Sequence, residues 1–398
     1  MNFSQAETDA AASLQPTPHF DREFDLLLAT ARTAPDVPRI NALVEPGVDW
    51  RGFFGLARSH GVRPVVYNSL RTTCWDLIPG DVRVALEEAN RLLTGRNLFL
   101  TGELLRISGD LEQAGIPVAA MKGAVIAQMA YGNFTLREFS DLDLLVNESD
   151  FIRAIEVIVG HGYRTYWKID NWTVQRFLRN LGEYKLSSDV LGIDIDLHWR
   201  AAHNTVALSP AFNDFSSGFQ RLALAGSSVP TFAPQDLPLY LAAQGGADQW
   251  SDLRRICDLA EFLRSYPEID WRPHFNTARR LGGLRSMLVG LVLARDLLGA
   301  SLPACSAELI DSDSAVARLA ATAKWNLRMG KDPGEPVSRY FFQLRAKKGI
   351  RKKISLAIGI LADRTSEDGD WMMLPRPLWW LYPVFRPLRM SSKFLHRG

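Results

Sequence analysis

Residues 116–146 decide the fold, and they read IPVAAMKGAVIAQMAYGNFTLREFSDLDLLV. The run 116–120 is short and apolar, as expected of a buried strand. Residues 124–131 are good helix formers, and Gly132 stands where a helix would end. From Asp141 onward polar and apolar residues alternate, which is typical of a second strand. The stretch therefore predicts a strand, a turn, a helix and a further strand in succession.

Two aspartates open the second of these strands. Side chains two apart on a strand point the same way, so Asp141 and Asp143 share one face. Neighbouring carboxylates repel each other unless a cation lies between them, and oxygen ligands of this kind suit Mg²⁺ or Mn²⁺. The alternative, for so short a motif, is a solvated edge of the sheet.

A second acidic strand is predicted at residues 192–199, which read GIDIDLHW. Strict alternation places Asp194, Asp196 and His198 on one face. Three carboxylates on two neighbouring strands can hold a pair of metal ions roughly 4 Å apart, the arrangement that serves in-line displacement at phosphorus. Asp194 competes with Asp196 for the third position. His198 either orients a phosphate or a carboxylate, or is a hydrogen-bonded structural group.

The turn before the helix and one arginine are the candidate phosphate contacts. Backbone N–H groups at a helix N-terminus attract phosphate, Gly123 lets the backbone come close, and Lys122 adds a positive charge. The alternative is a glycine turn with an exposed lysine. Arg137 either neutralises the β- and γ-phosphates or pairs with Glu138 or Asp141, and surface pairing alone would contribute little.

This order of motifs resembles the uncharacterised bacterial nucleotidyltransferase family within the DNA polymerase β-like superfamily. The resemblance covers roughly residues 50–263 and rests on the Lys-Gly turn, the arginine, the SDLDLLV strand and the later DLHW. The superfamily commonly has Gly-Ser or Gly-Gly at the turn, so Lys122-Gly123 fits the narrower family better. The resemblance implies an α+β fold in which a mixed-sheet core lies between N- and C-terminal helical regions.

The resemblance also implies a Mg²⁺- or Mn²⁺-dependent enzyme that moves a nucleoside monophosphate from an NTP to a hydroxyl of an unidentified sugar, peptide or small molecule. The family pattern favours the aspartate directly before Leu-His-Trp as the third acid. The implied catalytic and metal-binding residues are Asp141, Asp143 and Asp196. The implied nucleotide-binding residues are Lys122, Gly123, Arg137 and Ser140. Two alternatives stay open: a catalytically silent scaffold that binds a partner or a membrane surface, and a toxin-like transferase acting on tRNA or protein.

Composition limits the function further. The chain has 398 residues, enough for two or three domains. Its formal net charge of +2 gives no global basic field that would favour nucleic acid. The three cysteines lie far apart, so neither a zinc site nor a disulfide framework is indicated. The N-terminus lacks the pattern of a signal peptide, and no run reaches the roughly 20 apolar residues of a membrane span. We therefore expect a cytoplasmic protein.

The chain divides into five predicted parts: a disordered N-terminus at 1–19, a helical region at 20–115, the nucleotidyltransferase core at 116–235, a helical domain at 236–344 and a tail at 345–398. The tail opens with six positive charges in nine residues and continues with Trp, Pro and Tyr. One interpretation is a peripheral membrane anchor. The alternative is that its aromatic side chains pack on the helical domain.

Within these parts, a long helix is predicted at 81–113, either continuous or divided near Gly95. The core should also contain a strand at 163–167, a helix at 171–181 and a hairpin over residues 183–199.

Overall fold

The computed structural model describes residues 21–165, 182–202, 206–215, 218–330 and 336–362. The predicted disordered N-terminus, the predicted helix at 171–181 and most of the predicted tail lie outside these residues. In the described residues, no helix has both the length and the apolar character needed to span a bilayer.

From residue 21 onward, five helices precede the sheet: α1 (Asp21–Thr30), α2 (Val37–Val44), α3 (Trp50–Ser59), α4 (Arg63–Thr73) and α5 (Gly80–Gln113). The long helix predicted at 81–113 is continuous through Gly95, because a single glycine in a long helix costs only about 1 kcal/mol. Its residues Leu100, Leu104, Ile107 and Leu111 recur at helical spacing and are all buried. This stripe fixes α5 against one face of the sheet.

The sheet has seven strands: β1 (Val118–Ala120), β2 (Asp141–Val146), β3 (Arg164–Thr165), β4 (Glu183–Ser188), β5 (Ile193–His198), β6 (Phe219–Leu224) and β7 (Ser227–Phe232). Their spatial order is β3-β4-β5-β2-β1-β7-β6. The pairs β2–β5 and β1–β7 are parallel, and the other neighbours are antiparallel. The sheet is therefore mixed, and the α+β prediction is confirmed. The hairpin predicted over 183–199 is the antiparallel pair β4–β5.

Within the described ranges, two helices are inserted between strands, and eight follow the sheet. The inserted helices are α6 (Ala124–Tyr131) and α7 (Phe151–Gly160). Those that follow are α8 (Leu237–Ala247), α9 (Leu253–Ser265), α10 (Arg272–Leu281), α11 (Leu284–Leu298), α12 (Ala307–Asp311), α13 (Ser314–Met329), α14 (Pro336–Ala346) and α15 (Ile350–Ala362). The described beginning of the predicted tail thus includes the end of α14 and all of α15.

The two faces of the sheet are covered by different hydrophobic clusters. Leu142 and Leu144 of β2 join α5 and α7 in one cluster. Leu145 faces the opposite way, into a cluster that combines the N-terminal helices with α8, α9 and α11. Because side chains alternate along a strand, Asp141 and Asp143 lie on the same face as Leu145. The acidic side chains therefore lie on the face covered by α8 and α9.

The N-terminal helices and the C-terminal helices pack into one core. Leu27 of α1 and Phe262 of α9 are both completely buried members of the same cluster. Polar contacts reinforce this packing: the backbone N–H of Thr33 donates to Glu261 Oε1 at 3.1 Å, and Cys257 Sγ donates to the carbonyl of Ala31 at 3.1 Å. Helices α1–α4 thus support α9, which lies over the face of the sheet that carries the acidic side chains.

Candidate functional site

The parallel pairing of β2 with β5 brings the two acidic strands together. Asp141 lies opposite Asp194, and Asp143 lies opposite Asp196. We call Asp143 and Asp196 the inner pair, and Asp141 and Asp194 the outer pair. Spacing within each strand predicted which side chains share a face. The pairing of the two strands, and therefore the meeting of the aspartates, is decided by the tertiary fold.

The inner pair forms a compact group with a histidine. One ligand atom from each of Asp143, Asp196 and His198 lies within 4.8 Å of the others. We call these three residues the acid cluster. Asp143 and His198 are buried, and Asp196 is largely buried. Asp141 lies outside this three-residue cluster but lines the cleft that opens beside it.

Asp143 is held by two donors on one oxygen. Lys122 Nζ donates to Asp143 Oδ1 at 2.5 Å, and His198 Nε2 lies 2.9 Å from the same atom. Burial opposes ionisation of Asp143, but Lys122 and His198 outweigh it and lower the pKa of this carboxyl. Burial likewise disfavours charge on Lys122, and Asp143 more than compensates, so the pKa of Lys122 is raised. The two groups form a charged, partly buried pair.

Asp196 is in the opposite electrostatic situation. Burial, and then the negative charges of Asp143 and Glu183, raise the pKa of Asp196 to about 6. The opposing positive charges of His198 and of Lys185, whose Nζ is 3.6 Å from Asp196 Oδ1, have smaller effects on this pKa. One member of the inner pair is thus fully ionised at neutral pH, while the other remains basic enough to take up a proton.

Asp194 of the outer pair is much more exposed than Asp143 of the inner pair. The side chain of Asp194 is 45% exposed and lies 3.2 Å from Lys185 Nζ, whereas that of Asp143 is only 1% exposed. Asp194 thus pairs with a surface lysine, and Asp196 occupies the buried position beside Asp143. This arrangement supports Asp196 over Asp194 as the third acid.

The Lys-Gly turn has a backbone conformation that suits glycine. Gly123 has φ +56° and lies at the N-cap of α6, in a region that residues with a side chain rarely adopt. A Cβ at this position would approach Phe139 Cδ2 to 3.1 Å. The N–H of Met121 donates to the Asp143 carbonyl at 3.0 Å, which fixes the turn beside β2. Ser140 is exposed and lines the same cleft.

Arg137 pairs with neither of the acids that the sequence offered. Its Nε and Nη2 donate to the Asp258 carboxylate, with Nη2 2.9 Å from Oδ2, and both side chains are buried. Tyr131 donates to Asp258 Oδ1 at 2.9 Å. The Glu138 carboxylate binds Arg63 instead, with Arg63 Nε 3.0 Å from Oε2. Neither ion pair named as the alternative to phosphate binding is formed, because the partner of Arg137 lies on α9, 121 residues away along the chain.

The acid cluster has donors that fit a divalent cation. Two carboxylates and one imidazole supply oxygen and nitrogen ligands, a set that suits Mn²⁺ and is compatible with Mg²⁺. The short distances among the three ligand atoms allow one ion to reach all of them. Lys122 pairs with one oxygen of Asp143, so an ion bound here would share that carboxylate with the lysine.

Comparison with known proteins gives the family. A family model described as uncharacterised nucleotidyltransferase matches residues 46–299, which contain the sheet and helices α8–α11. This chain belongs to that family. The resemblance inferred from the sequence over residues 50–263 is therefore confirmed, and the match extends further along the chain.

Other comparisons add little. No curated protein matches the chain. A crystal structure of an antigenic nucleotidyltransferase-like protein from Paracoccidioides brasiliensis is similar at 16% identity, with a TM-score of 0.31; the match covers 52% of this chain and 95% of that one.

In this family member, the cleft beside the acid cluster has a second wall that the motifs did not indicate. The cleft has a volume of about 110 Å³ and lies between the Lys-Gly turn and helices α8 and α9. The helical wall contributes Tyr240, Gln244, Arg254 and Arg255. The acidic face of the sheet thus looks onto arginines contributed by α9.

The polar groups of this wall are only partly paired. The Tyr240 hydroxyl is buried and has no hydrogen-bond partner among the described residues, and burial raises its pKa well above 10, so it stays a donor. Arg255 pairs with Asp248 and Asp252. The Nε atoms of Arg254 and Arg255 are buried without a hydrogen-bond partner among the described residues.

One sequence signal pointed to these arginines. Arg254 and Arg255 lie in the first turn of α9, where the positive end of the helix dipole disfavours cations. Two arginines at this position suggest that something other than helix stability selects them. This pattern does not say what the arginines contact. Only the folded structure shows that Arg254 and Arg255 line the same cleft as Asp141 and Asp143.

Proposed function

We propose that this protein is a nucleotidyltransferase that moves a nucleoside monophosphate from an NTP to a hydroxyl group of an acceptor. The proposal depends above all on one observation: the parallel register of β2 and β5 places Asp143 and Asp196 side by side with His198. The Lys-Gly turn and the basic helical wall then border the same cleft.

The cleft has complementary charges for a nucleotide. The N-terminus of α6, which begins after Gly123, presents backbone N–H groups to the phosphates. Lys122 on one side and Arg254 and Arg255 on the other supply positive charge. The Tyr240 hydroxyl adds a donor that no described residue uses. Arg137 contributes indirectly, because its bond to Asp258 fixes the chain segment before β2 against α9.

The acid cluster would hold Mg²⁺ or Mn²⁺ through Asp143 and Asp196, with Asp141 beside them at the mouth of the cleft. A divalent ion in this position supplies neutralisation of phosphate charge and orientation of the reacting oxygens. The chain itself positions the acceptor hydroxyl close to the α-phosphorus, and such positioning supplies much of the rate enhancement.

The proposed reaction is an in-line displacement at the α-phosphorus. The acceptor oxygen forms a new bond to the α-phosphorus, and the bond from that phosphorus to the β-phosphate bridging oxygen breaks. Pyrophosphate leaves with the bonding electrons, and the hydroxyl proton passes to the Asp196 carboxylate. Asp196 suits this role because its carboxylate lies opposite Asp143 and within the acid cluster. The acceptor class that we propose to test first is a hydroxyl of a sugar, a peptide or a small molecule.

Isothermal titration tests nucleotide binding directly. The wild-type chain is titrated with each NTP in the presence of Mg²⁺ and then of Mn²⁺. We expect metal-dependent binding that is abolished in Asp143→Asn. Asp194→Asn is the matched control, since it alters an aspartate of the same strand face outside the acid cluster, and it should bind as the wild type does.

Release of pyrophosphate with a panel of hydroxyl acceptors then tests transfer. A wild-type chain that binds no NTP with either metal would overturn the enzymatic proposal and favour a silent scaffold. Labelling of tRNA or protein rather than a sugar, peptide or small molecule would instead identify the toxin-like alternative.

A further inference from the structure

Helix α15 has an unusual exposed surface. Ile350, Ile354 and Ile358 are 71%, 51% and 60% exposed. Residues four apart lie on the same side of a helix, so the three side chains form one continuous row, which we call the isoleucine stripe. The opposite side of the helix is packed, because Leu356 and Ile360 are buried. The helix therefore has two apolar sides, and only one of them contacts the described protein.

Positive charges flank the isoleucine stripe. At about 100° of rotation per residue, Arg351 lies beside the stripe on one side and Lys353 on the other. Neither has an ion-pair partner in the part of the chain that the structure describes. By contrast, Lys352 is committed to the end of α10, donating to the carbonyls of Arg279 at 3.0 Å and Arg280 at 2.8 Å. The helix is thus anchored by one lysine, whereas Arg351 is exposed to solvent and Lys353 is partly exposed.

A basic groove adjoins the stripe. It has a volume of about 430 Å³, and its lining includes Arg279, Leu284, Lys348, Ile350, Arg351 and Lys352. Ile350 and Arg351 thus belong to the groove and also lie in or beside the stripe. An anionic headgroup in the groove and an acyl chain against the stripe would be immediate neighbours.

The charge of this segment indicates its partner. Residues 336–362 contain no Asp or Glu, and their positive residues are Arg339, Arg345, Lys347, Lys348, Arg351, Lys352 and Lys353. A second copy of the same surface would bring like charges together, which is unfavourable. The sequence after 370 has the same character, with five more Lys or Arg, no Asp or Glu, and Trp371, Trp379 and Trp380. Acidic residues near the helix are confined to the short stretch 363–370, which carries Asp363, Glu367, Asp368 and Asp370 beside one arginine.

We propose that α15 is an interfacial helix that docks this protein on an anionic lipid bilayer. The isoleucine stripe enters the boundary between headgroups and acyl chains, where exposed apolar area is removed from water. Arg351, Lys353 and the basic groove contact the lipid phosphates, and juxtaposed cations of this kind attract an anionic leaflet. This inference is independent of the nucleotide chemistry, because it uses no residue of the cleft.

Vesicle flotation with the full-length chain tests the proposal. Phosphatidylcholine vesicles are compared with vesicles that also contain phosphatidylglycerol. We expect binding to the anionic vesicles only, weakened by added salt. The partition coefficient of the double variant Ile354→Glu with Ile358→Glu should be lower by about tenfold or more, because the variant places two negative charges in the isoleucine stripe. Arg351→Glu with Lys353→Glu should lose a similar factor.

Val84→Glu is the matched control, because Val84 is a 66% exposed aliphatic residue on α5. It should bind vesicles as the wild type does, and the far-ultraviolet circular dichroism of all variants should be unchanged. The proposal is overturned if wild type binds no anionic vesicles, if it binds neutral vesicles equally well, or if the isoleucine variant keeps full binding. It is also overturned if that variant converts a wild-type dimer to a monomer without losing vesicle binding. Nucleotide titration of the same variants should match wild type, so this test and that of the enzymatic proposal fail separately.

Discussion

The inner and outer pairs of aspartates use the same residue type at neighbouring positions of the same two strands, yet their environments differ. Asp143 is buried and shares an oxygen with Lys122 and His198, whereas Asp194 is exposed and meets only a surface lysine. In both pairs the two aspartates lie directly opposite each other in the β2–β5 pairing. The difference therefore comes from how deeply each side chain is buried beneath α8 and α9. Aspartates at equivalent positions of the two motifs thus differ in their chemistry because the surrounding helices bury one and leave the other exposed.

The largest expected difference between the pairs is in activity. Asp143→Asn removes a charge from the centre of the acid cluster, and we expect NMP transfer to fall by about 10³-fold. Asp194→Asn should stay within about threefold of wild type, because its exposed ion pair contributes little. Pyrophosphate release at saturating NTP measures both. Equal losses in the two variants would show that burial does not separate the pairs.

A smaller difference is expected in stability when the partner lysine is removed. Lys122→Met leaves Asp143 buried with only His198 beside it, and we expect a loss of about 2–3 kcal/mol, because an uncompensated buried charge is costly. Lys185→Met removes the partner of exposed Asp194 and should cost less than about 1 kcal/mol. Urea unfolding of the two variants gives the comparison. A cost for Lys185→Met as large as that for Lys122→Met would contradict it.

The pH dependence of stability should distinguish the two members of the inner pair. Because the folded-state pKa of Asp196 is raised to about 6, its protonated form stabilises the fold. That contribution is complete below the unfolded pKa of about 3.9 and is lost as pH rises through about 6, on the order of 2 kcal/mol. Asp143, whose pKa is lowered, has the opposite effect and loses its contribution as pH falls.

Urea unfolding in a chelator between pH 4 and 7 measures this dependence. The difference in stability between wild type and Asp196→Asn should change across this range, with wild type gaining relative stability at the acid end. A constant difference would mean that Asp196 is not perturbed in the folded chain.

The smallest expected effect concerns salt. The exposed pair of Lys185 with Asp194 should lose its contribution at about 1 M ionic strength, where the Debye length falls to about 3 Å. The stability gap between wild type and Lys185→Met should then close. The gap for Lys122→Met should persist, because the Asp143 carboxylate is only 1% exposed and solvent ions do not reach it. If salt removed the stability difference for both lysine variants, the ion pairs Lys122–Asp143 and Lys185–Asp194 would be equally accessible to solvent ions.

Several features of the site could be predicted from sequence because they depend on local geometry. Alternation placed Asp141 with Asp143, and Asp194 with Asp196 and His198, on common strand faces. The glycine turn followed from a helix beginning directly after a strand, and Gly123 has the positive φ that such a turn requires. The α+β fold and the family followed from the same motifs, and both are confirmed.

The remaining features depend on contacts between distant segments. Arg137 bonds to Asp258, and the cleft is closed by Tyr240, Arg254 and Arg255, none of which any local pattern linked to the acidic strands. Lys122 was expected to meet phosphate, and the fold places it on Asp143. Which of two equivalent aspartates becomes buried is likewise set by the position of the helices. Sequence periodicity determined the direction of each side chain; only the tertiary structure decided its neighbours, because pairing and burial arise from residues that are far apart along the chain.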